Sequence, residues 1–329
     1  MEPLVRRHLV LLSLFASLPA TALTFQTRME NIAWTVEGDQ FECRLTQPIE
    51  GFGSGEFVRR AGEGPVFRLR SAGNALGAGP ATLLAAAAPW QPGRADISLG
   101  TVRLARDGVL FSSSQGQASR LINGLLDGRS TVVRNRAGEG GQAMEVRVLP
   151  VSFAKAYGDY QACAGKLLPM NYDQVRQTQV GFPGGGTELD ASAKARLDVV
   201  LAYLKADPTV NRVELDGHSD NSGNRLTNRE LSRRRALAVA DYLKAHGVPE
   251  ADIVVRFHGE RYPLARNDSS ANRARNRRVS LELDRVAAVQ GPVEGAAPAG
   301  GPAERAQQAG ASTPAQTAST ARSPRPGEP

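Results

Sequence analysis

Past its first two dozen residues, the chain has no apolar run long enough to cross a bilayer. The longest such stretch, Ala81 to Pro89, is short and mostly alanine, whereas a spanning helix needs roughly twenty residues. Cysteine is nearly absent too: only Cys43 and Cys163 occur in 329 residues, and neither lies near a leader cleavage point where lipid could be attached. The four histidines are scattered without ligand spacing and no H-E-x-x-H occurs, which argues against a zinc hydrolase or a two-Cys zinc site. The glycine run Gly184-Gly185-Gly186-Thr187 has no following lysine, so a phosphate cradle is poorly supported. No cofactor is expected.

The N-terminus has Arg6-Arg7, a largely apolar run from Leu9 to Leu18 and Ala20-Thr21-Ala22. A basic start, a short apolar segment and an A-x-A site define a secretory signal peptide over residues 1–22, cut after about Ala22. The mature protein is then expected outside the cytoplasm and not spanning the membrane. In an exported chain a lone pair of cysteines is read as a disulfide, Cys43 to Cys163. The net charge of +7 and the arginine density between Arg212 and Arg285 call for an acidic partner. Export turns that expectation away from nucleic acid and towards wall polymer or anionic lipid.

Residues 23–168 alternate with period two in short, glycine-broken segments such as Phe41 to Leu45, Val66 to Arg70 and Met144 to Val148. This predicts an antiparallel β-rich domain, with helices at about Ser119 to Asp127 and Ala154 to Leu167. Past Pro169 the rhythm lengthens. Strands are expected at Val175 to Phe182, Val210 to Gly217, Ile253 to Phe257 and Val279 to Leu283. Helices are expected at Asp190 to Ala206 and Asn228 to His246, the second started by a Thr227/Glu230 capping box and ended by Gly247. The result is an α+β chain: a β-rich domain, then a β-α-β-α-β-β unit over 169–288 with its helices on one face of a mixed sheet. Residues 289–329, rich in Ala, Gly and Pro, cannot offset their ordering entropy by burial and are expected to be disordered.

The run Gly217-His218-Ser219-Asp220, Gly223, Asn228, Leu231-Ser232, Arg235-Ala236, Gly259-Glu260, Pro263, Asn267 and Asn276-Arg277-Arg278 resembles the OmpA-like peptidoglycan-binding domain family. The likeness covers about 115 residues, with Ser219 where Thr is usual. It implies that Asp220 and Arg235 hold the diaminopimelate of the peptidoglycan stem peptide, with Ser219, Asn228 and Leu231 beside them. The chemistry agrees, because a free zwitterion needs an anion for its ammonium and a planar donor fork for its carboxylate. Leu231, Arg235, Val239 and Tyr242 share a helix face, so Arg235 points inward and needs a partner. Asp220 and Arg235 could equally close on each other. Asn228 could be a ligand contact or a plain first-turn residue, Arg233 and Arg234 read as a solvated face, and which of Arg277 and Arg278 faces the helices is open. Catalysis by His218-Ser219-Asp220 is not expected, since adjacent residues on a strand end point to alternating sides.

The first domain, through Phe41-Glu42-Cys43-Arg44-Leu45, Gln47-Pro48-Ile49, Gly51-Phe52-Gly53, Phe57 and Ala61-Gly62-Glu63, is similar to the periplasmic flagellar T-ring proteins. That likeness implies a non-enzymatic periplasmic basal-body component, able to assemble in a ring, whose first domain docks on flagellar ring and stator proteins. A generic wall-anchored protein unrelated to motility, and a basic nucleic-acid binder that is not exported, are the rival classes.

Overall fold

Alternation along the first long strand, Glu42–Ile49, decides which residues enter the first core. Cys43, Leu45, Gln47 and Ile49 are buried, while Glu42, Arg44 and Thr46 between them are half-exposed. The computed structural model describes residues 23–73, 76–135 and 143–286; the expected leader (1–22) and tail (289–329) lie outside the described residues.

The first domain contains β1 (Leu23–Phe25), β2 (Thr35–Gly38), β3 (Glu42–Ile49), β4 (Gly53–Arg60), β5 (Val66–Ser71), β6 (Gly79–Ala86), β7 (Ile97–Leu104) and β8 (Val109–Ser112). They are followed by α1 (Gln115–Leu126), β9 (Ser130–Asn135), β10 (Met144–Val148) and α2 (Phe153–Ala164). One sheet runs β2-β3-β4-β5-β8 and is antiparallel throughout. The other runs β1-β10-β9-β6-β7 and is antiparallel apart from the parallel β1/β10 edge pair. Leu45, Phe57 and Phe67 face one another across three strands of the first sheet, and Leu83, Val133 and Val146 across three of the second. All six are buried in one apolar cluster. Each such side chain contributes about 1.5–3 kcal/mol, so this core dominates the domain's stability. Gln47 is tolerated inside because its amide both donates to and accepts from the backbone of Leu149, at 2.8 Å each way.

The helix expected at 119–127 begins earlier, because Ser114 and Gln117 form a capping box, and it buries Ala118, Leu121, Ile122 and Leu125. Helix α2 buries Phe153, Ala156 and Tyr160 and carries Cys163 to Cys43, where the disulfide expected from sequence is present.

The second domain holds α3 (Tyr172–Val175), β11 (Gln177–Gly181), α4 (Ala191–Ala206), β12 (Arg212–His218), α5 (Arg225–Ala245), β13 (Ile253–Gly259), α6 (Ser270–Asn276) and β14 (Arg278–Asp284). The sheet order is β11-β14-β12-β13, with β12 and β13 parallel and the other pairs antiparallel. Val213 and Leu215 of β12, with Val279, Leu281 and Leu283 of β14, meet Leu197 and Val200 of α4 and Val239 and Leu243 of α5.

The expected β-α-β-α-β-β order is present with two short helices added. Val175, read as the start of a strand, instead ends α3, which is held by an Asn171/Gln174 capping box, and the strand begins at Gln177. Helix α6 was not anticipated. The start of α5 is a correction: Asn224, not Thr227, is the N-cap, accepting from the Thr227 N–H at 2.8 Å, and Thr227 already lies inside the helix. Glu230 does not reach back to the cap but pairs with Arg233 and Arg234. Among the described residues no helix is long and apolar enough to cross a membrane.

The two domains meet along residues 38–43, 60–63 and 166–176. Phe41 sets its ring 5.7 Å from that of Tyr203 on α4 and packs on the second domain's core. Buried Asn171 donates to the Ala61 carbonyl at 3.1 Å and to Glu63 at 2.7 Å. The Gln40 side-chain amide donates to the Ala206 carbonyl at 3.4 Å, and Arg60 reaches Asp173 at 3.4 Å.

Candidate functional site

Strand β12 ends against the first turns of α5, and the approach is set by Gly217. A Cβ there would overlap the carbonyl of Ser232 on α5, so any other residue would push helix and strand apart. Beyond this contact the chain passes through His218, Ser219 and Asp220, all buried, and turns at Ser222, whose N–H donates to Asp220 Oδ1 at 2.9 Å.

Arg235 lies on the core face of α5 and is fully buried. It does not bond Asp220. Its Nε donates to the Gly186 carbonyl at 2.9 Å, one terminal nitrogen to Gly185 at 2.6 Å and the other to His218 at 3.3 Å. The guanidinium also lies 5.5 Å from the centroid of the Phe182 ring. The glycine run that lacks P-loop character thus serves as a strap of carbonyls for a buried cation. Burial, and secondarily the charge of Arg277, lowers the Arg235 pKa to about 10. Three of its five N–H groups are used, leaving one on each terminal nitrogen.

The partner of Asp220 is Arg277, at 2.8 Å. This settles the choice between the two arginines: Arg277 faces the site, and Arg278 turns away, donating to the Tyr262 carbonyl. Arg277 also donates through Nε to the Phe182 carbonyl at 3.0 Å. Burial alone would raise the Asp220 pKa, but the bonds from Arg277 and Ser222 outweigh it and hold the carboxyl below its usual range. The site therefore carries one carboxylate between a half-committed buried guanidinium and a more exposed one. Arg277 entered the sequence reading only as one of two unassigned residues. Its place depends on the turn that α6 makes before β14.

Ser219 is buried, its Oγ has no hydrogen-bond partner and its N–H donates to the Gly259 carbonyl. Asn228 is buried and bridges the Gly223 carbonyl, at 3.3 Å, and Glu260, at 2.6 Å, so it locks the loop to the end of β13. Leu231 is half-buried at the margin of the helix face that carries Arg235. No hydrogen bond joins His218 to Ser219, and Asp220 is committed to Arg277.

Residues 25–169 match the family model of the MotY N-terminal domain, and residues 181–277 match that of the OmpA family. The chain joins a MotY N-terminal domain to an OmpA family domain. Across the junction it is 25% identical over 250 residues to the sodium-type flagellar protein MotY of Vibrio parahaemolyticus, covering 74% of this chain and 84% of that one. The OmpA domain alone is 43% identical over 83 residues to the outer-membrane lipoprotein YfiB of Pseudomonas aeruginosa, a match that covers 25% of this chain and 48% of the lipoprotein. Among solved structures, the peptidoglycan-associated lipoprotein of Burkholderia pseudomallei aligns with 28% identity and a TM-score of 0.31, covering 32% of this chain and 89% of that one.

Proposed function

We propose that this chain is an exported, non-enzymatic component of a flagellar motor, in which the OmpA domain grips peptidoglycan and the MotY N-terminal domain docks on the basal body. In that role it forms part of the T ring and helps position or retain stator units. The wall ligand is the stem peptide: Asp220 takes the diaminopimelate ammonium, and the free N–H groups of Arg235, with Arg277 beside it, take the carboxylate. Ser219, Asn228 and Leu231 shape the rim. Residues 1–22 act as the leader, 23–168 as the docking domain and 169–288 as the wall-binding domain.

The observation that carries the reading is the grouping of one carboxylate and two guanidiniums at the C-terminal end of β12, where a zwitterion can take over both halves of the Asp220–Arg277 pair in kind. The order of the two domains, shared with a flagellar relative over most of its length, supports the motor role.

Deleting the gene, scoring swimming and locating the tagged protein tests it. The expected result is non-motile or weakly motile cells with the protein at the flagellar base. Normal swimming with the protein still held by sacculi would make it a wall anchor outside the motor, the role that the OmpA domain taken alone would equally serve.

A further inference from the structure

The arginines around the N-terminal half of α5 fall into two groups. On the outer face of the sheet, Arg256 pairs with Glu214 and Asp216, and Arg212 pairs with Glu214. On α5, Arg233 and Arg234 pair with Glu230, and Arg235 is held by three backbone carbonyls in the site already described. Arg225 and Arg229 of α5 and Arg261 beyond β13 have no carboxylate partner among the described residues. These three line one cavity of about 440 Å3 between the start of α5 and the end of β13.

That cavity is built for a guest of opposite charge. Arg229 is steadied over the Phe257 ring, 5.2 Å from its centroid. The acid in the lining, Glu260, is engaged by Asn228 at 2.6 Å and forms no ion pair with any of the three arginines. The cavity also adjoins the Asp220 site, because Gly259 takes the Ser219 N–H on one side and gives its own N–H to Ser232 Oγ at 3.0 Å on the other. A chain seated at Asp220 and leaving across Gly259 arrives at the three guanidiniums.

We propose that Arg225, Arg229 and Arg261 form a second anion subsite, which binds the other free carboxylates of the peptidoglycan stem peptide, above all the α-carboxylate of its γ-linked glutamate. This rests on the wall-binding reading above. Diaminopimelate recognition then fixes where the stem peptide sits, and the arginine subsite reads whether the neighbouring acid is free or amidated. Three positive charges over an open cavity also draw an anionic polymer in from solution, so this part of the affinity falls as salt rises.

The test uses the full mature chain, purified sacculi and two soluble stem tripeptides ending in diaminopimelate, one with free glutamate α-carboxylate and one with that group amidated. Wild type is expected to bind the free form at least tenfold more tightly. The R225Q/R229Q/R261Q variant, altered only at exposed side chains, is expected to bind the two forms equally while keeping wild-type affinity for the amidated one. Equal affinity of wild type for both peptides overturns the subsite. So does an equal loss on both peptides in a triple variant that melts as wild type does, and so does a triple variant that instead loses binding only to phosphatidylglycerol vesicles. Failure of wild type to bind sacculi and either peptide would overturn the wall-binding reading, and the subsite with it; binding without discrimination overturns the subsite alone.

Discussion

Asp220 and Arg277, 57 positions apart, meet at 2.8 Å, and that ion pair is the accessible part of the candidate site, the two side chains keeping 12% and 17% exposure. A zwitterion entering here exchanges one ion pair for two. Replacing Asp220 with Ala removes the anion and leaves Arg277 facing Arg235, so binding should suffer from repulsion as well as from the lost contact. Asp220→Ala is expected to abolish most co-sedimentation with sacculi, at about 2–5 kcal/mol. Arg277→Ala should weaken it by a similar order, whereas Arg233→Ala, on the exposed face, should do far less. Well-folded Asp220→Ala protein that pellets as wild type would reduce the pair to a loop clamp.

Arg235 invites a different expectation, because its bonds go to the backbone. With Arg235→Ala the carbonyls of Gly185, Gly186 and His218 lose their donor; the two glycine carbonyls can turn to water, but the buried His218 carbonyl is left unsatisfied, at about 1–3 kcal/mol. Arg235→Lys keeps the charge but has one nitrogen where three positions need donors. Both variants should lower the melting temperature, alanine the more, and both should weaken sacculus binding. Binding loss with an unchanged melting curve would mean that the glycine strap does not depend on Arg235.

How legible this was in the sequence varies by element. Strands such as β3 and β5 could be read because alternation reports burial directly, and α4 could be read because Asp190 caps it and Asp207-Pro208 follows it. Helix α6 was invisible, since Ser270 to Asn276 has no apolar period and buries only Asn276, whose side chain ties the 265–267 loop together. The start of α5 was misplaced because Thr227 and Glu230 have capping-box spacing, while Asn224 lies in a run of polar residues where local pattern cannot choose. The inward aim of Arg235 followed from helix spacing. Its carbonyl partners did not, because a glycine carries no side-chain signal of the carbonyl it will present.

His218 gives a pH dependence. Burial, and then the charges of Arg278 and His258, lowers its pKa to about 4, so it is neutral in the folded protein at pH 6, whereas the unfolded chain protonates near the ordinary value of 6.5. The unfolded state therefore binds more protons between about pH 6.5 and 4, and this group's contribution to stability falls as pH drops through that window and levels off below it. Denaturation of wild type and His218→Gln across pH 7 to 4 should show the steeper loss in wild type. An NMR titration of His218 with a midpoint near 6.5 would remove the basis for this.

The Cys43–Cys163 bond closes a loop of 120 positions, and the chain-entropy model assigns it about 4–5 kcal/mol. Periplasmic protein alkylated without reductant should show no free thiol, and either Cys→Ser variant should give less folded protein. Quantitative alkylation of unreduced, folded protein contradicts the bond.

Phe41 and Asn171 predict how far the two domains can be parted. Phe41 belongs to the first domain by sequence but packs its ring against Tyr203 of the second, and Asn171 does three jobs: it caps α3 and holds the Ala61 carbonyl and Glu63. Both lie close in sequence to the disulfide, two residues before Cys43 and eight after Cys163, so the junction is anchored to the most constrained point of the first domain. A fragment from Pro169 to Ala288 retains the core strands and helices of the OmpA domain and is expected to fold and to pellet with sacculi. It lacks Phe41 and the acceptors of Asn171, so it should melt several degrees below the same residues in the full chain. Phe41→Ala and Asn171→Ala in the full protein should each cost about 1–2 kcal/mol, the first through lost apolar burial and the second through the lost cap. Each should also separate a single cooperative melt into two transitions, since the contacts that couple the domains are the ones removed. If the isolated fragment melts at the full-chain temperature and neither variant splits the transition, the junction is a passive contact and the domains are tethered only by the chain.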